Sequence, residues 1–331
     1  MSLPPPPDGL NLHQDHSRAI VISVSATWAV AVVAVCLRFF ARKLSGAPFW
    51  IDDLLTLPPL AFVTGLCFVT VIWMVNNGLG KHIWAAHSAN PVEVMMQGLF
   101  ISEVVYTFTM LCVKFSISLL YYRLFKSPQI KFVLYIVCTI VTCWAIALIL
   151  VVCFQCIPLR GFWDKSIESV CRVDDYKFFI GNSVPNIITD VALLFIPIVP
   201  IWRLHVTLTQ KITLTGLFLM GGLVTATSVV RLVYLLKLDS LSPDVTWNFS
   251  KTQIWTCVEL HTAIISGEYM YSRYLEYVDF TETDHRYDTL TSLSSLLTPN
   301  LSVGAWSGPQ LCKPQGNNKR TVGVLSLSVQ V

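Results

Sequence analysis

Charged residues are scarce in this sequence: Asp, Glu, Lys and Arg make up 13% of its 331 residues, whereas a soluble globular domain is about a quarter charged. Because a large water-soluble core needs a charged shell around it, this scarcity argues against one large buried domain. The formal net charge of +3 is too small to indicate nucleic-acid binding. With 54% hydrophobic residues, the chain is expected to lie in membrane lipid and to bind no nucleic acid.

Motifs that would indicate an enzyme or a cofactor site are also missing. The ten cysteines do not form the two Cys-x-x-Cys pairs of a zinc site, and there is no glycine-rich phosphate loop or Gly-x-Ser-x-Gly turn. A membrane zinc hydrolase needs about three His or acidic ligands and an open position, and the inward-facing ligands that we expect from the apolar segments are only His261, Asp190 and Glu259. We therefore predict no catalytic residue, no metal and no cofactor.

Two further membrane architectures lack their sequence signals. A β-barrel needs segments of about ten residues that alternate between apolar and polar side chains, and none is present. A retinal Schiff base needs a buried lysine, and the last apolar segment has none after Lys251 at its edge.

What the sequence does contain is a series of long apolar segments. Six lie near residues 20–41, 51–75, 98–122, 132–157, 178–202 and 212–236, and a weaker seventh lies near 253–271. Each of the first six reaches the roughly 20 residues that a membrane helix needs, whereas Glu259, His261 and Glu268 interrupt the seventh. The predicted fold is all-α, a transmembrane bundle of seven spans with the last weak or truncated, and six spans remain an alternative.

Basic residues predict the orientation of the bundle, because cytoplasmic loops carry an excess of Lys and Arg. The short connections after spans one, three and five hold Arg42 and Lys43, then Arg123, Lys126 and Lys131, then Arg203 and Lys211. The connection after span four holds Arg160, Lys165, Arg172 and Lys177 at lower density. Density therefore predicts an extracellular segment over 1–19, a transmembrane domain over 20–271 and a disordered cytosolic tail over 272–331, with the protein in the plasma membrane.

Two glycosylation sequons bear on the same question. Asn248-Phe249-Ser250 precedes span seven and lies outside in this orientation, so Asn248 is a predicted N-glycosylation site. Asn300-Leu301-Ser302 lies in the predicted cytosolic tail and would stay unmodified.

Five ionisable residues fall within the spans, where a charge is costly and indicates function by default. They are Glu103, Lys114, Asp190, Arg231 and Glu259. The first two lie 11 residues apart on one helix, about 16 Å along its axis, so each needs partners on other helices. Two interpretations stay open: a polar cavity in which the charges meet a ligand, or interhelical ion pairs that only lock the bundle.

Two smaller features lie near the predicted membrane surfaces. Arg38, Asp52 and Asp53 form a cluster at the cytoplasmic face, which either anchors the first loop or docks a cytosolic signalling partner. Cys156 and Cys171 lie on the outer side, where a disulfide between them would contribute about 3 kcal/mol. Cys153 is the competing partner.

A series of short motifs follows along the chain. They are Leu37-Arg38 with Trp50 and Ile51-Asp52-Asp53, Gly78-Leu79-Gly80-Lys81-His82, Lys114-Phe115-Ser116 with Tyr122-Arg123-Leu124-Phe125, Cys156-Ile157-Pro158 with Trp163 and Cys171, Asn182, Asn186 and Asp190 ahead of Pro197, Ile201-Trp202, Lys211, Gly221-Gly222, Ser228, Arg231, and Trp255 with Val258-Glu259. Their order and spacing resemble the fungal seven-transmembrane family with a rhodopsin-like domain, which includes plasma-membrane receptor-like proteins and satratoxin-cluster membrane proteins. The resemblance covers roughly residues 20–266. After Ile265 the sequence is polar where family members continue an apolar helix.

Three functional hypotheses follow from these observations. The first, implied mainly by the resemblance, is a non-enzymatic receptor-like protein that senses a small or lipophilic ligand and signals inward. The second is a transporter or accessory membrane protein of a fungal secondary-metabolite cluster, with the intramembrane charges as a substrate path. A metal-dependent membrane enzyme is the third and least favoured.

Overall fold

Seven long helices make up most of the computed structural model, which describes residues 11–45, 54–86, 90–125, 127–164, 166–197, 208–238 and 244–297. The helices are α1 (Ser17–Ser45), α2 (Leu57–Phe68, continued as a π-helix over Val69–Met74), α3 (Pro91–Leu124), α4 (Pro128–Phe154), α5 (Asp175–Phe195), α6 (Leu208–Leu236) and α7 (Val245–Leu297). The predicted all-α fold is confirmed. Among the described residues six helices, α1 to α6, are long and apolar enough to cross a membrane, which agrees with a weak seventh span.

Prolines set the beginnings of two helices earlier than hydropathy predicts. Pro91 is the first residue of α3 and Pro128 the first of α4. Proline suits this position because the missing N–H would have no partner within the helix. At 34 residues, α3 is about 51 Å long by its rise, so it extends beyond the apolar core of a bilayer.

The bundle buries polar side chains among its apolar core residues and exposes large apolar side chains on its outer surface. Large apolar residues of α4 such as Phe132, Ile146 and Phe154 are exposed, as expected for a surface that faces lipid. Successive helices from α1 to α6 pack against one another. Helix α7 receives hydrogen bonds from several of them, and its residues 256–271 are buried on most sides. It is therefore the interior helix.

A two-stranded sheet closes the connection between α4 and α5. Strand β1 (Cys156–Ile157) pairs antiparallel with β2 (Val170–Cys171), and a disulfide joins Cys156 to Cys171. Cys153 is a free, exposed cysteine. We call this end of the bundle the hairpin end.

Gly80 brings three segments together at the hairpin end. Its carbonyl accepts a hydrogen bond from the His16 N–H at 2.8 Å, and its own N–H donates to the Thr246 carbonyl at 3.2 Å. Its φ of +89° is in the left-handed region, and a Cβ there would lie 2.9 Å from the Ser17 nitrogen. Only glycine fits this junction of α1, the α2–α3 connection and α7.

The last described segment continues the helix beyond the predicted boundary at residue 271. Helix α7 runs to Leu297, where the sequence predicts a disordered tail from 272. Residues 268–298 contain no glycine and no proline, so nothing in their backbone chemistry ends the helix. The chain divides into one unit over Met1–Phe280 and a second over Thr281–Val331. Asp52, Asp53 and Asn300 lie outside the described residues.

Replacement of Gly80 by alanine is expected to lower the free energy of unfolding by about 1 to 3 kcal/mol, because alanine must adopt a strained φ. The measurement is thermal unfolding of the purified protein in one detergent. The matched control is Gly65→Ala in α2, where no heavy atom lies within 4 Å of the added Cβ; alanine there should be neutral or stabilising. Equal melting temperatures for the two variants would contradict this role of Gly80.

Candidate functional site: a buried polar network

All five ionisable residues predicted to lie within the spans belong to one buried network between four helices. We call it the polar network; it comprises Glu103, Tyr106 and Lys114 of α3, Asn182, Ser183, Asn186, Thr189 and Asp190 of α5, Ser228 and Arg231 of α6, and Glu259 of α7. Because the alternative to a protein partner is hydrocarbon, burial of such groups requires that they satisfy one another.

Helix α5 supplies much of the network through its spacing. Asn182, Asn186 and Asp190 follow one another at intervals of four residues, which places them on one face of a helix. That face points into the bundle, because Asn182 and Asn186 are fully buried. Val184 and Ile188, on other faces, are exposed. The polar stripe on an otherwise apolar helix is thus the sequence signal for this part of the site.

The centre of the network is the ion pair between Arg231 and Glu259. The Arg231 Nε lies 2.8 Å from the Glu259 Oε2, and both side chains are almost completely buried. The guanidinium also donates through Nη2 to the Tyr106 hydroxyl at 2.8 Å and to the Ser183 hydroxyl at 3.2 Å. One arginine therefore holds α3, α5, α6 and α7 together.

The second oxygen of Glu259 accepts hydrogen bonds from the other three helices of the network. Its Oε1 accepts hydrogen bonds from Ser228 of α6 at 2.5 Å, Asn186 of α5 at 3.0 Å and Tyr106 of α3 at 3.2 Å. Three donors on one carboxylate oxygen fix its position.

A second ion pair lies deeper along α3. The Lys114 Nζ is 3.0 Å from the Asp190 Oδ1 and donates to the Asn186 Oδ1 at 2.7 Å and to the Thr189 hydroxyl at 2.6 Å. The Ser228 hydroxyl lies 3.2 Å from the other Asp190 oxygen. Asn186 and Ser228 thereby connect this pair to Glu259.

Glu103 stands at the other end of the network, toward the hairpin end. Its Oε2 accepts a hydrogen bond from the Asn182 Nδ2 at 2.9 Å. Within the described part of the chain, no cation forms an ion pair with Glu103. The 11 residues between Glu103 and Lys114 give the network a depth of about 16 Å along α3.

A small cavity borders the Lys114–Asp190 pair. It lies between α3, α5, α6 and α7; besides the ion pair it is lined by residues that include Tyr121, Leu194, Gly221, Ser266 and Met270. About 30 Å³ of it is open to the centres of water molecules, room for one or two waters. Among the described residues, the buried Ser266 hydroxyl has no hydrogen-bond partner, so it is available to whatever occupies the cavity.

Arg38, from the predicted cytoplasmic-face cluster, forms an ion pair that was not predicted from the sequence. Arg38 of α1 pairs with Glu268 of α7, with Nη1 to Oε2 at 3.1 Å, and its guanidinium lies 3.5 Å from the centre of the Tyr271 ring. Arg42 lies over the same ring at 4.9 Å. All four side chains are buried. The predicted partners Asp52 and Asp53 lie outside the described residues.

Two other predicted features are placed by the structure. Asn248 lies in the first turn of α7 rather than in a connection before it, and the Ser250 of its sequon is fully buried. In the described ranges no group of three or more His, Cys, Asp or Glu side chains could hold a metal. His261 instead contacts the Thr27 hydroxyl at 2.8 Å.

Comparisons with known proteins match most of the chain. A profile described as "Fungal rhodopsin domain" matches residues 37–273. Polyenoic acids biosynthesis gene cluster protein Ba17b of Metarhizium anisopliae is 26% identical over 252 residues, 72% of this chain and 68% of the relative. Receptor GIN3 of Arthrobotrys oligospora is 26% identical over 164 residues, 49% of this chain and 39% of the relative. Satratoxin biosynthesis SC1 cluster protein 4 of Stachybotrys chartarum is 29% identical over 164 residues, 49% of this chain and 58% of the relative. No solved structure matches.

Removal of the central cation should destabilise the bundle strongly. Arg231→Gln leaves Glu259 buried without a counter-ion, so we expect a loss of about 3 to 5 kcal/mol in unfolding free energy. The matched control, Arg172→Gln at an exposed position, should change it by less than about 0.5 kcal/mol. Thermal unfolding in one detergent measures both. The double variant Arg231→Gln/Glu259→Gln should recover part of the loss, and strictly additive effects would argue against the pair.

Proposed function

On the premise that this chain belongs to the fungal rhodopsin domain family, as its sequence motifs predicted, we propose that it is a receptor-like, non-enzymatic membrane protein. It binds a small lipophilic ligand between α3, α5, α6 and α7 and signals across the membrane. The cavity beside the Lys114–Asp190 pair carries this proposal, since it places a buried charge pair next to an apolar wall between four helices. Sites between the helices of a bundle commonly have this composition.

The size of the cavity supports a receptor rather than a static binding protein. Space for one or two waters is far below the roughly 300 Å³ of a small-molecule site. A ligand larger than water therefore enters only if the helices separate, and this separation is a change of conformation that a partner can detect. Tyr121 and Met270, which line the cavity, lie at the end of the network away from the hairpin end, so the separation also moves side chains toward that end of the bundle.

The chemistry of the cavity favours a lipophilic carboxylic acid as the ligand. Its apolar lining suits a hydrocarbon chain, and Lys114 offers a buried cation whose present partner is a carboxylate. A ligand that enters as the neutral acid and gives its proton to Asp190 can take the place of that carboxylate beside Lys114 without changing the net charge. The Ser266 hydroxyl can donate to the ligand carboxylate. The name of the relative from Metarhizium, which refers to polyenoic acids, is consistent with this class.

A polyunsaturated fatty acid tests this site directly. We expect linolenate to bind the protein in nanodiscs at least about tenfold more tightly than linolenyl alcohol, because a hydrogen bond to a charged group is worth about 1.5 to 3 kcal/mol. Quenching of tryptophan fluorescence measures both affinities, with empty nanodiscs as the blank. Equal affinities for acid and alcohol would refute the carboxylate site.

Two neighbouring glycines provide the matched pair of variants for the same assay. Gly221 lines the cavity, and a Cβ there meets the flexible end of Leu194 at 2.7 Å, whereas a Cβ on Gly222 meets nothing within 4 Å. Gly221→Val should weaken linolenate binding at least about tenfold by filling the cavity, and Gly222→Val should leave it unchanged. Equal effects of the two variants would place the ligand elsewhere.

Transport is the second candidate function, favoured by the charged side chains within the bundle and by relatives named for biosynthesis clusters. In that case the polar network forms part of a substrate path. Uptake of a slowly permeating dicarboxylic fatty acid into proteoliposomes would support transport, provided that Gly221→Val reduces it and Gly222→Val does not. Probe binding without uptake would support the receptor.

The hairpin end faces the outside of the plasma membrane in this proposal, and the opposite end, with Arg38 and Arg42, faces a cytosolic signalling partner. The basic connections support this direction, and the disulfide suits an oxidising compartment. Glu168 is exposed at the hairpin end and Gln129 at the opposite end. An impermeant maleimide should label Glu168→Cys in intact cells and Gln129→Cys only after permeabilisation. The reverse pattern would invert the orientation.

A further inference from the structure

The polar network contains one carboxylate more than it has cations. Its carboxyl groups are Glu103, Asp190 and Glu259, and its cations are Lys114 and Arg231. Arg231 is paired with Glu259 and Lys114 with Asp190. If all five residues were ionised, the centre of the bundle would carry one uncompensated negative charge, which is strongly unfavourable at membrane depth.

Glu103 is the carboxyl group that the pairing leaves over. Among the described residues its side chain has one hydrogen-bond partner, the neutral amide of Asn182. By contrast, Glu259 and Asp190 each have a cation within 3.0 Å and hydroxyl or amide donors besides. Because hydrogen bonds and opposite charges both compensate the charge of a carboxylate, Glu103 is the carboxyl group whose charge its surroundings compensate least.

Asn182 is suited to serve Glu103 in either protonation state. It donates its N–H to a Glu103 carboxylate, as the structure shows at 2.9 Å. Its other amide atom, Oδ1, is buried and has no hydrogen-bond partner in the part of the chain that the structure describes. A half-turn of the amide brings Oδ1 to Glu103, where it accepts from a protonated carboxyl, since the two ends of an asparagine side chain are nearly equal in shape.

We propose that Glu103 is a proton-binding site that keeps the polar network neutral and whose occupancy is linked to the Arg231–Glu259 pair. Among the described residues, the charged and titratable groups that interact with it are Tyr106 on its own helix, Arg231 on α6 and Glu259 on α7, and α5 contributes the neutral amide of Asn182. A proton from water converts the Glu103 carboxylate to the acid. When the proton leaves, Arg231 has a second carboxylate in its neighbourhood that competes with Glu259.

Infrared spectroscopy of the protein in an ester-free detergent tests the site at neutral pH. A protonated carboxyl has a C=O stretch that a carboxylate lacks. We expect this band in the unmodified protein, its loss in Glu103→Gln and its retention in Glu93→Gln. Glu93 is the matched control, because it lies in the first turn of the same helix and accepts an exposed hydrogen bond from the Asn90 side chain.

The pH dependence of the melting temperature gives a second measurement. A group that is protonated in the folded state and ionised in the unfolded state makes stability fall as pH rises. The unmodified protein and Glu93→Gln should therefore melt at lower temperatures as pH rises from mildly acidic to neutral, and Glu103→Gln should lose this slope while it melts at least as high at neutral pH.

Three results would overturn the proposal. The first is an unmodified protein without the carboxyl band. The second is a band that persists in Glu103→Gln and disappears in Asp190→Asn, which would place the proton on the Lys114 pair. The third is a Glu103→Gln variant that melts well below the unmodified protein at neutral pH. Glutamine is neutral and resembles a protonated glutamic acid, so a large loss of stability would indicate that Glu103 is ionised. None of these results depends on whether a lipophilic acid binds in the cavity.

Discussion

The ion pair between Arg231 and Glu259 is the constraint on which the arrangement of the bundle depends. Its two side chains draw hydrogen bonds from α3 and α5 as well as from their own helices. In lipid, the cost of an unpaired charge is too high for these helices to meet in another order. Helix α7 must therefore lie inside the bundle, where Glu259 reaches its partners, and the other helices surround it.

The interior place of α7 explains why it looks weak as a membrane span. A helix that meets lipid needs an apolar surface, but α7 is covered by other helices and can carry Gln253, Glu259, His261 and Glu268. Each of the four finds a partner on another helix. Low hydropathy in this helix is a consequence of its burial in protein, and a hydropathy window cannot separate such a helix from a surface loop.

The charged residues of the site could be predicted from the sequence, because a charge within an apolar segment is visible without a structure. The 11-residue spacing of Glu103 and Lys114 also showed that they need separate partners. Those partners stayed hidden, since Tyr106 and Asn186 are uncharged and resemble ordinary polar residues of a helix. The Arg38–Glu268 pair joins residues 230 positions apart, and no local pattern records such a contact. The beginning of α3 was missed because Pro91, rather than hydropathy, determines it.

Such a network can stabilise one conformation and also allow a change of conformation, because the same ion pairs take part in both. Breaking a buried pair outright costs about 3 to 5 kcal/mol, and inverting a 1:99 population to 99:1 takes about 5.5 kcal/mol of differential binding. A ligand that separated Lys114 from Asp190 without replacing either would spend most of its binding energy on that step. A carboxylic acid that gives its proton to Asp190 and then pairs with Lys114 as the carboxylate avoids this cost. Exchange of partners, with the charges kept paired, is therefore the physical route by which this locked bundle can change state.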